Sequence, residues 1–98
     1  MKTGIDVVIL LCQQIVSCGK IRYEKLNDKY VIYCNNYKIF EVNGYKILVK
    51  NTDIIKSYLL DVLDYNREES DNYFIINDVN NKKLLCNITK AILNENNI

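Results

Sequence analysis

The 98-residue chain has no proline, histidine or tryptophan, only three glycines and a single methionine. Histidine is the usual proton carrier near neutral pH, so its absence removes Ser/His and Cys/His nucleophiles and most zinc chemistry at once. Gly4, Gly19 and Gly44 are isolated from one another. Neither a phosphate loop nor a dinucleotide fingerprint can be assembled from them. The chain also lacks a dominant charge: thirteen basic residues face twelve acidic ones, for a net charge of +1. That leaves no electrostatic footprint for phosphate backbones or acidic membranes, and nucleic acid is a disfavoured partner. No apolar run is long enough to span a bilayer. With no linker-like stretch either, residues 1–98 are expected to form one domain around one core.

The four cysteines, Cys12, Cys18, Cys34 and Cys86, show no C-x-x-C spacing. Together with ample aliphatic content this favours free thiols buried as small apolar groups, although an even count also permits two disulfides in a secreted chain. Lys2, "VVILLC" and "VSCG" can be read as a leader with a cleavage site, against which stand Asp6 and the Gln13-Gln14 pair. An intracellular, cytoplasmic or nuclear protein is the expectation. Isoleucine, asparagine, lysine and tyrosine are abundant, a bias that resembles an AT-rich genome more than a functional pattern, so the asparagines are discounted.

The chain reads as α+β. Thr3 can cap a helix that Gly19 ends, about residues 4–18, with an apolar stripe of Ile5, Val8, Ile9, Cys12, Ile15 and Val16 that Val7, Leu10 and Leu11 widen. A helix so broadly apolar is central to the core or pressed on a partner. The rival is a buried strand over "DVVILLC", where β-branched residues cluster. Residues 21–29 read as an irregular, charged connection with a short extended piece. "KYVIYCNNYKIFEV" then predicts a hairpin of strands 30–34 and 38–42 around Asn35-Asn36, residues that tolerate the left-handed region. A helix follows at about 52–64, capped by Asn51 or Thr52, and "DYNREESDN" reads as an acidic, solvated loop. A strand at 73–77 and a helix at about 81–94, capped by Asn80 or Asn81, complete the chain.

"FEVNGYKIL", Phe40 to Leu48, admits two readings. Asn43-Gly44 between alternating apolar runs is a strong hairpin signal, which would make residues 45–49 a further strand. Asparagine also caps helices, and a short helix from Gly44 to Lys50 is the reading favoured here.

Catalytic chemistry is not visible. Glu68, Glu69 and Asp71 form the one acidic cluster, in a stretch with no apolar pocket to shift their pKa values. No catalytic, cofactor-binding or metal-binding residue is assigned. The eight tyrosines, with Tyr30, Tyr33 and Tyr37 near Lys29 and Lys38, invite base stacking, but tyrosine is also an ordinary strand residue. A wide apolar helix, tyrosines and a near-neutral surface suit a protein interface instead.

"IYCNNYKIFEVN", "NTDIIKSYLLDVL" and "IINDVNNKKLLCNI" follow one another in an order that resembles the POZ superfamily, the fold of BTB domains, elongin C and the Skp-type cullin adaptors. The resemblance spans about residues 30–93. It implies a non-enzymatic adaptor whose partner is a cullin-like protein or a second copy, with Tyr73 and Phe74 as anchors around the third strand and the acidic loop. The chain departs from the Skp-type pattern in its spacing after Asn43, in its N-terminal helix and in lacking the later helices that grip an F-box. The helix of Ile5 to Val16 is expected to cover the surface those helices would bury, from its own chain or in a homodimer, with Val8 and Val16 at the contact. The alternative class is a small stand-alone inhibitor or regulator, of viral origin for example, acting on a host protein or nuclease. A nucleic-acid-binding protein ranks third. In the POZ order residues 44–50 are helical, so a strand there removes the basis of the resemblance.

Overall fold

The computed structural model describes residues 4–50, 52–59, 68–70, 73–76 and 79–97. Among these the chain is α+β: α1 (Gly4–Ile15), β1 (Ile21–Leu26), β2 (Lys29–Cys34), β3 (Tyr37–Asn43), β4 (Lys46–Lys50), α2 (Asp53–Leu59), β5 (Glu68–Ser70), β6 (Tyr73–Ile76) and α3 (Lys82–Glu95), with a 3-10 turn at Val16–Cys18 after α1. The strands make one sheet in the order β1-β2-β3-β4-β6-β5, antiparallel at every pairing.

Three hairpins in succession build β1 to β4, each closed by two residues. Asn35 and Asn36 join β2 to β3 with φ of 54° and 67°, the left-handed pair that this turn needs. The expected hairpin is therefore present. Asn27 (φ 54°) opens the turn between β1 and β2, where Leu26 faces Lys29. Residues 21–26 are thus a regular six-residue strand, more than the short extended piece expected within an irregular connection; the alternation in "IRYEKL" followed by Asn-Asp was the overlooked signal.

The third hairpin overturns the favoured reading of "FEVNGYKIL". Asn43 pairs with Lys46, Val42 with Ile47 and Glu41 with Leu48, so residues 46–50 are a strand and no helix starts at Gly44. The turn is Gly44-Tyr45, one residue later than Asn-Gly suggests, with φ of 65° at Gly44 and a negative φ at Tyr45. A positive φ at the first central position is the II′ pattern that glycine supplies without steric cost. Ile47 and Val49 then reach the helix side of the sheet and are buried, which a helix starting at Gly44 would not have arranged. On the criterion stated above, the POZ order of elements is not followed.

The helices cover one face. Val7, Val8, Leu11 and Ile15 of α1 meet Ile32, Phe40, Val42, Ile47 and Val49 from the sheet and Leu85, Ile88 and Ile92 from α3. α1 is a helix and not a strand because one turn in every 3.6 residues aligns those four side chains on the sheet. α2 is capped by Thr52, whose Oγ1 accepts from Ile55 N at 3.3 Å, and α3 by Asn81, whose Oδ1 accepts from Leu84 N at 3.1 Å. α2 is described as far as Leu59; the expected continuation over 60–64, the Thr3 cap and the strand end at residue 77 lie outside the described residues. Part of the expected acidic loop, Glu68–Ser70, is strand β5, while Asp71 lies outside the described residues.

Two Val residues one expectation had paired are separated by packing: Val8 is fully buried and Val16 is 64% exposed. Val8→Asp should therefore cost about 4 kcal/mol or more, an unpaired charge in the core, whereas Val16→Asp should change stability by less than about 0.5 kcal/mol. Urea unfolding of both variants measures this directly. At the β2–β3 turn, Asn36→Ala should cost about 1 kcal/mol and Asn36→Gly almost nothing, because only a side chain that tolerates positive φ fits there; the same unfolding curves report it.

Candidate functional site

Among the described residues, two places gather groups of distinctive chemistry. The first lies on the sheet face turned away from the helices. Ile32 faces Phe40 while Tyr33 faces Lys38, so Ile39 is an extra residue in β3, a β-bulge. Without it residues 38 and 41, an odd number apart, would point to opposite faces. With it Lys38 and Glu41 share one. Glu41 is 4% exposed and is held by Lys29 Nζ at 2.7 Å and Lys38 Nζ at 2.5 Å. Burial alone would push this carboxyl up, but hydrogen bonds from Lys29, Lys38 and the Tyr73 hydroxyl, with the Lys38 charge, hold it at about 2. Burial likewise works against the Lys38 ammonium, and Glu41 and Tyr73 more than offset it, so its pKa is raised. An acid fixed as its anion and a lysine fixed as its cation exchange no proton near neutral pH. The groove beside them, lined by Tyr37, Lys38, Leu48, Lys50 and Tyr73 with Glu95 at its far wall, brings no further nucleophile.

The second place is the outer edge of β1. β1 is the terminal strand of the sheet and five of its six residues are exposed. Beside it α1 turns out Ile9 (46% exposed), the 3-10 turn after it Val16, and β1 turns out Tyr23 (46% exposed). Together with Cys12, Ile21 and Arg22 they line a shallow, mainly apolar groove of ≈ 470 Å³. Arg22 is held in place from three sides: its guanidinium stacks 4.0 Å from the Tyr33 ring, its Nη1 donates to Glu24 Oε1 at 2.5 Å and its Nε to Asn36 Oδ1 at 3.2 Å. Tyr23 meets Tyr30 edge-on with ring centroids 5.9 Å apart.

The expected site residues divide between surface and core. Val16 lies in the β1 groove. Val8 and Phe74 do not present themselves to any partner: Val8 is fully buried and Phe74 is 3% exposed, because both point at the helix-covered face of the sheet. Tyr73, one residue before Phe74 and so on the opposite face, is half-buried and engaged with Glu41 and Lys38. Arg22, Tyr23 and Glu24 were overlooked because residues 21–29 read as a charged connection.

The thiols are free. Cys18 is pushed up to about 11 by burial, by its hydrogen bond with Cys86 and by the neighbouring thiols, against the pull of Lys90; burial also raises Cys12 and Cys34. Protonated thiols are poor nucleophiles and poor metal ligands. Among the described residues no group of three or more metal-ligating side chains is found, and no helix is long and apolar enough to cross a membrane. Compared with protein-family models, with curated proteins and with solved structures, the chain shows no significant match.

The Glu41 cluster predicts acid sensitivity with a definite sign. The folded carboxyl titrates at about 2, below its ordinary 4.5, so its contribution is fully present above that ordinary value and is lost as pH falls towards 2. Glu41→Gln should cost on the order of 2–3 kcal/mol at pH 7, and the gap from wild type should narrow steadily below about pH 4.5. Urea midpoints measured across that range check both the size and the direction.

Proposed function

We propose that the chain is a non-catalytic protein-binding module that engages its partner through the groove between α1 and β1. The observation that carries this is the coincidence of an exposed edge strand, with β2 as its one strand partner among the described residues, and exposed apolar side chains from three elements, Ile9, Val16 and Tyr23. An open edge offers a ready ladder of backbone donors and acceptors, and natural sheets usually cover or blunt it. Extended segments add to such edges with their side chains seated in flanking pockets. The chemistry of the remaining groups agrees: Glu41 is clamped as its anion and Cys18 is held protonated near neutral pH, so neither offers itself as a proton carrier or nucleophile.

The hairpin at Gly44-Tyr45 speaks against carrying over a cullin-binding surface from the POZ superfamily, and Phe74, one of its two expected anchors, is core. A stand-alone binding protein that acts on another protein is the form of the proposal that remains. Of the basic side chains beside the tyrosines, Arg22 is paired with Glu24 and Lys29 and Lys38 share Glu41, which does not favour nucleic acid.

A photoreactive benzoylphenylalanine placed at Tyr23, and separately at Lys46 on the other face, tests the surface. Irradiation in an extract of the source cells should give a protein adduct from position 23 and none from position 46, and Val16→Asp should reduce the adduct several-fold. Equal labelling from both positions, or none from position 23, would falsify the assignment of this edge.

A further inference from the structure

We infer that the partner at this edge is a second copy of the same chain, joined by antiparallel pairing of β1 with β1 about a two-fold axis through Tyr23. The inference deepens the protein-binding reading and rests on it. The pairing of β1 with β2 fixes which backbone groups are free. Asn35 N donates to Lys20 O at 2.8 Å, and Lys20 lies opposite Asn35 in the continuation of the β1–β2 register. Bonded and non-bonded positions alternate along an antiparallel pair, so Arg22, Glu24 and Leu26 spend their N–H and C=O on β2. Ile21, Tyr23 and Lys25 turn theirs to the open edge.

A second copy can pair only through those odd-numbered residues, which restricts the registers. It also sets the two helix layers on the same face of the joined sheet, because directly opposed residues point to the same side. The apolar groups Ile9, Val16 and Ile21 of both copies then border one seam. Four such registers pair at least three residues of β1 with their counterparts. Centred on residues 22, 24 and 25 they set Arg22 against Arg22, Glu24 against Glu24 and Lys25 against Lys25, and all three place like charges opposite each other. The fourth centres on Tyr23. It sets Arg22 against Glu24 and Glu24 against Arg22, and joins the exposed Tyr23 side chains across the axis. Arg22 and Glu24 are already in contact within each chain, so the dimer carries a ring of four alternating charges in place of two isolated pairs. The charge pattern of this six-residue strand is self-complementary in one register and repulsive in the two beside it.

Sedimentation of the full chain over a wide concentration range tests this. A monomer–dimer equilibrium is expected. Arg22→Glu alone and Glu24→Arg alone should each weaken it about tenfold or more, since each turns two attractions into two repulsions. The two together should restore it to within about threefold. Circular dichroism keeps the comparison to folded chains, as both side chains are nearly half exposed. The photoadduct from position 23 should be a homodimer whose cross-link maps to β1 of the second copy. A monomer at every concentration whose position-23 adduct is a different protein overturns the dimer and leaves the binding edge standing. A dimer indifferent to the single charge reversals, or folded but not restored by the double one, also overturns it. No adduct of any kind at position 23 removes the edge and the dimer together.

Discussion

The carboxylate of Glu41 is the constraint around which the sheet is arranged. A buried anion is costly unless each of its oxygens is matched, and here the match comes from Lys29 on β2, Lys38 on β3 and Tyr73 on β6. Those groups meet only if β2, β3, β4 and β6 keep their present registers. A slip of one residue in any pairing would put its partner on the wrong face. Val31 and Leu48, directly opposite Glu41 on either side, are buried as well, so the anion's neighbours along the row are apolar. The bulge at Ile39 follows from the same demand: it brings Lys38 round to the Glu41 side while Ile39 and Phe40 both enter the core.

Much of the architecture was legible because it is written in local pattern. The period of the α1 and α3 side chains, the Asn35-Asn36 turn and the caps at Thr52 and Asn81 each follow from short-range chemistry. What was illegible concerns choices that only tertiary contact decides. Gly44 supports a turn as well as a helix start, and the outcome rests on Ile47 and Val49 finding the helix side of the sheet. Which three or four of α1's many apolar residues face inward also depends on what they meet, and Ile9 and Val16 were left outside. Asparagine, set aside as a compositional bias, turns out to hold the left-handed positions at 27, 35 and 36. With three glycines in the chain, it is the next residue able to do so.

The candidate site was the least legible part for a related reason. Adjacent residues of a strand belong to opposite faces, so Tyr73 and Phe74, read together as anchors, were divided between the Glu41 row and the core. The residues that do form an exposed surface, Arg22 to Glu24, look like any polar connection until the strand is placed at the sheet's end. Neighbourhood in space, not residue type, makes them a surface.

The packing of α1 against α3 has a consequence for how the protein is made. Gln14 Nε2 donates to Val79 O at 3.0 Å and Cys86 Sγ to Gln14 O at 3.1 Å, contacts that join the first helix to the region around the last. Synthesis delivers α1 first and α3 last, while the hairpins between them close on neighbours a few residues away. Until α3 is made, then, Val7, Val8, Leu11 and Ile15 have only the growing meander to shelter them. The order of the sheet suits that delay: β2 and β3, which lie under α1, follow it directly after β1 and are completed before β4, β6 and α3.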